Sequence, residues 1–316
     1  MVARVSRLVL TLGWLVLGLG VLLHLTVRDA VPGLALFFYA LPKPCLAALA
    51  VALLAWPGVG KKARLIATLA VVGIGAWWVA LSWHSPAVPA HSSLVTHHSS
   101  HAQQPELRVL YWNLCRPSGL HQGMVDLVRE FQPHCAAFVE PGERAGQLVS
   151  AYETLLPGYT AAWMPRGILW LARVPSRYRE RGKLEDIGAF AWFEVTTLGP
   201  AFPIVVADVH PHLFHSRKGQ LDEALSYAHD RADALLMGDF NTPLESVHLA
   251  AYRAQYTHAL QVAGQGFQET WPVGLPLLSL DHLWVGAEWE VVAARKVWRL
   301  TRSDHAALLV TLRRRQ

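Results

Sequence analysis

The spacing of apolar and polar residues changes character along the chain. Positions 8–27, 34–56 and 65–83 are nearly unbroken runs of Leu, Val, Ala, Gly and Trp. Each is near the ~20 residues that a helix needs to cross about 30 Å of hydrocarbon. Pro42, Lys43 and Pro44 interrupt the middle run, marking either a kink in a span or a short helix that starts at Pro44 after an interfacial segment. Residues 84–106 contain Pro86, Pro89, Pro105 and several Ser; they cannot bury enough apolar surface to fold and read as a polar linker. From 107 onward short apolar runs alternate with polar ones, as in a soluble core. The predicted organisation is a transmembrane anchor of about three helices over 1–83, a linker over 84–106 and a folded domain over 107–316.

Within that domain the pattern predicts a strand over 107–114 (LRVLYWNL). A helix follows over 120–131, with Met124, Leu127, Val128 and Phe131 at helical spacing and Pro133 as its stop, and then a strand in CAAFVE. Strand, helix and strand in so short a span form a βαβ unit, which makes the two strands parallel. Further strands are predicted at 168–172, 189–196, 202–209, 234–237, 280–285 and 306–312, with a helix at 219–229. Many apolar strands with few helices fit an α/β (α+β) sandwich of sheets flanked by helices.

Charge sharpens the division. The chain carries a net charge of +5, but residues 107–316 hold 21 Lys plus Arg against 21 Asp plus Glu. The excess therefore lies with the anchor, and the folded domain has no net attraction for a polyanion. The run Arg173, Arg177, Arg179, Arg181, Lys183 reads as a solvated face. Arg4 and Arg7 precede the first apolar run, and Lys61, Lys62 and Arg64 separate the second from the third. Because short cytoplasmic loops retain Lys and Arg, the N-terminus is expected inside, and three crossings put the folded domain on the extracytoplasmic face of the cell membrane. If the second run does not span, that parity flips. Cys45, Cys115 and Cys135 are read as free thiols. Cys115 and Cys135 are expected near opposite ends of neighbouring strands, farther apart than the ~7 Å a bridge tolerates. The linker histidines His84, His91, His97, His98 and His101 read as part of a polar tether.

Polar residues recur at the predicted strand ends: Asn113, Glu140, His210, Asp239 with Asn241, Asp281, and Asp304 with His305. Burying any one of them unpaired would cost about 1–3 kcal/mol or more, so packing does not explain them, whereas a site built at strand ends does. Asp239 and Asn241 taken alone would also fit a plain Asx turn.

The segments LYWNL, FVEPG, ADVHPHL, MGDFNTP, SLDHLW and RSDHAALLV, in that order, resemble the motif set of the endonuclease/exonuclease/phosphatase superfamily. That group includes deoxyribonuclease I-like nucleases, apurinic endonucleases, inositol-polyphosphate 5-phosphatases and neutral sphingomyelinases. The resemblance implies a four-layer sandwich and in-line attack of water on phosphorus, aided by Mg²⁺ or Mn²⁺. On these positions it makes Glu140 the principal metal carboxylate and Asn113 a support for the metal or a phosphate oxygen. Asp239 would orient or deprotonate the attacking water, and Asn241 would donate to the phosphate. His305 would contact the scissile phosphate, with Asp304 fixing its tautomer or helping to hold metal. His210 would be the second histidine, oriented by Asp281. His212, His215 and His282 match no position in the motif set and read as supporting or surface groups; Trp163, Trp170 and Trp192 read as core.

The expected function is hydrolysis of a phosphomonoester or phosphodiester by a membrane-anchored enzyme, the tether favouring a lipid headgroup. A DNA or RNA endonuclease of the same superfamily, or an inactive receptor or scaffold on this fold, are the alternatives. No protein partner can be read from the sequence.

Overall fold

Helices clothed in Leu and Val are stable only where something other than water covers them, and the first 83 residues are built this way. The computed structural model describes residues 2–85, 105–212, 214–228, 230–299 and 303–315. Most of the linker read at 84–106, with His91, His97, His98 and His101, lies outside the described residues. The chain divides into two units: Met1–Trp83 together with His212–Ser216 and Glu245–His248, and the remainder.

The first unit contains α1 (Val2–Leu25), α2 (Pro32–Ala40), α3 (Lys43–Ala55) and α4 (Lys61–Ser82). Val5–Leu25 and Lys61–Ser82, with mean hydropathies of 2.3 and 2.0, are long and apolar enough to cross a membrane. The interrupted middle run becomes α2 and α3, which meet at an angle of 64° and would make a third span if they act as one. The break falls where the sequence put it: Pro42 caps α3 and Pro44 lies in its first turn, so neither has an N–H to continue the preceding helix. Leu17, Leu46, Ala50, Leu53 and Ile74 make the internal contacts, while Leu8, Leu12, Leu15, Leu65 and Leu69 face outward. Asp29 is only 1% exposed, but its carboxylate accepts from Tyr39 Oη at 2.7 Å, from Val247 N at 3.0 Å and from Ser246 Oγ. Lys43 pairs with Glu245. Buried charges matched in this way escape much of their desolvation cost.

Among its described residues the second unit has eleven strands of five residues or more: β1 (Glu106–Asn113), β2 (Cys135–Val139), β3 (Thr160–Met164), β4 (Ile168–Ala172), β5 (Ser176–Gly182), β6 (Ala189–Val195), β7 (Phe202–Asp208), β8 (Leu235–Asp239), β9 (Asp281–Val285), β10 (Trp289–Val297) and β11 (Ala307–Arg314). They form two sheets. One runs β10-β11-β1-β2-β4-β3, and the other runs β9-β8-β7-β6-β5 with the two-residue strand Thr257–His258 at its β9 edge. β1 and β2 are parallel, as expected of a βαβ unit; the connecting helix is α5 (Gln122–Phe131), started by the His121 side chain accepting from Met124 N at 3.0 Å.

Alternation along the strands then decides which side chains meet. Val109 and Tyr111 of β1, Val206 of β7, Met237 of β8 and Leu283 of β9 share the core between the sheets. Leu110 and Trp112 turn the other way, to a second core with Met124, Leu127 and Val128 of α5. On the outer side of the other sheet, Val205, Leu236 and Trp284 pack with Leu221 of α7 and Tyr252 of α8, after α6 (Val149–Leu155), α7 (Lys218–Ser226) and α8 (Ala250–Gln255) in chain order. The result is helix, sheet, sheet, helix: the four layers expected. Trp170 belongs to the central core.

One glycine in this frame has no substitute. A Cβ on Gly238, in the middle of the sheet, would lie 1.9 Å from the carbonyl oxygen of Ala207. Gly238→Ala therefore forces two central strands apart and should cost at least the ~1–3 kcal/mol of core overpacking, readable as a lowered midpoint in chemical denaturation.

Three strands escaped the sequence reading. In β5 the five central residues, Arg177 to Arg181, are all exposed, so no apolar alternation marks it; a charged edge strand of this kind discourages further pairing. The basic run is thus largely an edge strand, with Arg179 paired to Glu194. β3 and β10 occupy the two edges of the other sheet, and their Ala-rich or mixed sequences carry little periodicity.

Candidate active site

The site begins with strand register. Asp281 opens β9 opposite Asp239, the last residue of β8, and Asp239 is in turn level with Asp208, the last residue of β7. Each lies two residues along from a side chain of the central core, Leu283, Met237 or Val206, so the period of two points all three carboxylates to the same side of the sheet. From the facing sheet Asn113 ends β1, and its Nδ2 donates to Asp239 Oδ2 at 2.9 Å. That bond ties the sheets together at the mouth of the sandwich.

His305 comes from the segment before β11. Its backbone N–H donates to Ser303 Oγ at 3.1 Å, Ser303 Oγ donates to the Asn113 carbonyl at 2.6 Å, and Trp112 Nε1 donates to the His305 carbonyl at 2.9 Å. With the backbone held at these points, the imidazole Nδ1 meets Asp281 Oδ2 at 2.8 Å, and Nε2 lies 3.8 Å from Asp239 Oδ2. Ligating atoms of Asp239, Asp281 and His305 all fall within 4.8 Å of one another, and all three residues are buried.

Such crowding has electrostatic consequences. Burial by itself would favour the neutral imidazole, but Asp281, then Asp239 and Asp304, outweigh it and raise the His305 pKa to about 10. Asp239 is raised to about 7, first by burial and then by Asp281, against the opposing pull of His305 and its hydrogen-bond donors. At neutral pH the pair thus holds a protonated ring beside a carboxylate that gives up its proton readily.

The other anticipated residues divide. Asn241 N donates to Asp239 Oδ1 at 2.8 Å, so an Asx turn is present and is itself what aims Asp239; Asn241 Nδ2 is bonded to the Val209 carbonyl at 2.7 Å. Glu140 follows β2 with its side chain bonded to Arg116 at 2.8 Å. Asp304 accepts from Trp271 Nε1 at 2.8 Å and reaches His305 Nε2 only at 3.8 Å. His210 is exposed, its backbone N–H held by Gln220 Oε1 at 2.9 Å. One expectation is corrected here: Asp281 was paired with His210, but the register across β8 and β9 sets it against His305. His282 is fully buried and bonded to His258 and the Thr242 carbonyl, a supporting role, while the His212 and His215 rings lie 4.1 Å apart.

Several residues were missed. Asp208 stands two positions before His210 inside ADVHPHL, where its alternation with apolar neighbours was the available signal. Ser303 and Thr270, whose Oγ1 accepts from Asp281 N at 3.1 Å, carry none. Glu140, Cys115, Arg116 and Asn241 have φ between 46° and 52°, a left-handed backbone costly for side-chain-bearing residues, and such outliers gather at functional sites.

The donor set suits a hard divalent cation, which prefers carboxylate and amide oxygens and keeps several waters. Asp208 lies among Asp239 and Glu140, and burial followed by these two neighbours raises its carboxyl well above the usual range, with Arg116 and His305 opposing. Asn113 Oδ1 accepts one hydrogen bond, from Cys115 N at 2.9 Å, and keeps a lone pair free. A folded-state pKa above the unfolded value means that ionised Asp208 opposes folding once pH exceeds the unfolded pKa of about 4. Asp208→Asn should accordingly raise Tm in chelator at pH 7 and shrink the further rise on adding MgCl₂, measured by thermal melting.

The sequence profile of the Endonuclease/Exonuclease/phosphatase family matches residues 110–305, more than half of the chain. This protein belongs to that family. Its members hydrolyse ester bonds of phosphates, and the fold of the chain agrees. A functionally unknown conserved protein from Enterococcus faecalis V583 superposes with a TM-score of 0.53 at 16% identity, covering 66% of this chain and all (100%) of that one. The mannosyl-6-phosphatase of Bacteroides thetaiotaomicron VPI-5482 gives 0.51 at 16% identity, covering 65% and 99%. D. rerio TDP2 complexed with a single strand DNA product gives 0.50 at 16% identity, covering 66% and 99%. At these identities the likeness is one of fold. No curated protein matches the sequence.

Proposed function

We propose that this chain is a membrane-anchored, divalent-cation-dependent phosphoesterase whose substrate is a phosphomonoester or phosphodiester presented at a bilayer, such as a lipid headgroup. The observation that carries the reading is the meeting of Asp239, Asp281 and His305 from distant parts of the sequence in one buried cluster at the strand ends, with Asn113 fastened to Asp239. Glu140, Asn113 and Asp208 would hold the cation, with Asp304 at the margin. When bound, Mg²⁺ or Mn²⁺ supplies positive charge against the phosphate oxygens.

The residues of the chain do the rest. Asp239, near its point of ionisation, orients the attacking water and takes its proton. His305, held protonated by Asp281, donates from Nε2 to a phosphate oxygen. His210, exposed two residues beyond Asp208, would assist the leaving group, and Asn241 positions Asp239 through its backbone N–H. Water adds in line to phosphorus as Asp239 takes its proton, the P–O bond to the leaving group breaks, and that oxygen takes up a proton delivered through His210 from solvent.

The anchor supports the choice of substrate. The helices Val5–Leu25 and Lys61–Ser82 expose apolar side chains that a bilayer would cover, and the bent pair α2 and α3, acting as one span, would make the third crossing. With Arg4 and Arg7 inside, the hydrolase domain then faces outward. The balanced charge of residues 107–316 gives no general attraction for a nucleic-acid backbone.

The test uses the full chain in nanodiscs with phospholipid headgroups, sugar phosphates and single-stranded DNA, each with Mg²⁺ and with chelator. Cleavage of a lipid or small phosphate ester, lost in chelator, is expected; cleavage of DNA alone would replace the substrate assignment, and hydrolysis unaffected by chelator would overturn the role of the cation. Glu140→Gln should weaken Mn²⁺ binding by about tenfold or more, read by electron paramagnetic resonance.

A further inference from the structure

Tyr111 looks like an ordinary core aromatic. It is fully buried, in the central core, on a strand of apolar neighbours. Yet it stands two residues before Asn113 on the same face of β1, one step deeper beneath the carboxylates that Asn113 meets. β1 packs across the sandwich against both β8 and β9. The groups that act on the Tyr111 hydroxyl are, after burial, Asp281, Asp239 and Asp208, and together they raise its pKa well above 10. A phenol carries its proton at neutral pH, so the hydroxyl is able to donate to a neighbouring carboxylate.

Two buried atoms are left over in this neighbourhood. Asp281 Oδ2 accepts from His305 Nδ1 at 2.8 Å, but among the described residues its Oδ1 is buried without a partner at normal hydrogen-bond geometry, and so is Tyr111 Oη. One is a carboxylate oxygen in need of a donor; the other is a donor in need of an acceptor. Both belong to residues with no exposed surface, and buried polar groups in folded proteins are nearly always paired.

We propose that Tyr111 is a positioning residue: its hydroxyl donates to Asp281 Oδ1 and so holds Asp281 Oδ2 on His305 Nδ1. A carboxylate gripped at one oxygen only can rotate about its Cβ–Cγ bond, and the imidazole it carries turns with it. Gripped at both, it fixes the ring and leaves Nε2 facing the reacting phosphate. The role presupposes that His305 and Asp281 work as a catalytic pair, but it can be read without turnover.

The experiment compares the full chain with Tyr111→Phe, which removes one oxygen and keeps the packing. In ¹⁵N-histidine-labelled protein without substrate or cation, the His305 Nδ1 proton, assigned with His305→Gln, should exchange with solvent about tenfold faster in the variant, as expected for loss of one hydrogen bond to a charged group. With substrate, kcat should fall by about the same factor and KM stay within about twofold, the pattern of an interaction made in the transition state. Unchanged exchange of the Nδ1 proton would overturn the proposal. Should the variant not fold, a crystal structure of the unaltered chain decides: Tyr111 Oη within about 2.5–3.0 Å of Asp281 Oδ1 supports it, and another donor on that oxygen overturns it. Faster exchange in a chain that hydrolyses nothing would preserve the positioning and refute the catalytic function.

Discussion

His305→Ala is expected to lower kcat by about 10²- to 10⁴-fold, the range of a general acid–base group, while the melting curve in detergent keeps a single transition. The size follows from what the ring does at neutral pH. Burial works against the imidazolium, yet Asp281, Asp239 and Asp304 hold its pKa up at about 10, so a positive charge is kept among these carboxylates. On the proposed mechanism, removing the ring would take away the proton donor to the phosphate and leave Asp239 and Asp281 facing each other across one register position with no charge between them. Asp239 should then bind its proton more tightly and be a poorer partner for water. Steady-state kinetics should place the loss in kcat, with KM changing by less. A variant that keeps more than about a tenth of wild-type kcat would show that the ring is not the acid.

Asp281→Asn should rank next, lowering kcat by about 10²- to 10⁴-fold, since an amide in place of a histidine-orienting carboxylate favours the wrong tautomer. The pH profile is the sharper readout. On the proposed mechanism the unaltered chain should be active with Asp239 ionised and His305 protonated, giving a plateau with an acidic limb at or below about 7 and an alkaline limb near 10. A cation held nearby would draw the acidic limb lower. Asp281 is the largest of the influences raising His305, so its neutralisation should move the alkaline limb down toward the ordinary histidine value of about 6.5. Linkage gives the same sign for stability. A raised His305 pKa contributes stability in full below about 6.5, lost as pH rises through about 10, so the Tm difference between wild type and variant should shrink at high pH. An alkaline limb that stayed in place would mean that another group sets it.

How much of this could be read in advance depended on the kind of signal. Strands with one or both faces buried announced themselves: Ile168–Ala172 appeared as predicted, and β1, β6, β7 and β9 within a residue or two of it. β5 did not, because Arg177 to Arg181 are exposed and nothing in the run alternates. The residues of the site were visible because Asn113, Asp239, Asp281 and His305 interrupt apolar runs at strand ends. Their partners were not, since pairing across strands depends on register and a period-two pattern is silent about which strand lies beside which. Hence Asp281 was assigned to His210 although β9 sets it against β8 and brings it to His305. Asp208 was overlooked for a related reason: only the parallel pairing of β7 with β8 makes it level with Asp239. Tyr111 was hidden by its chemistry, an aromatic ring in a core being the commonest sight in a folded protein.

If these strand ends form one cation-dependent hydrolytic centre, it will show in phosphate-ester hydrolysis by the purified full chain in nanodiscs, measured beside Asp239→Asn under saturating Mg²⁺ and again in chelator. Turnover by the unaltered chain alone, abolished when Mg²⁺ is withdrawn, is the predicted result. Equal turnover by Asp239→Asn, or turnover indifferent to chelator, would contradict it.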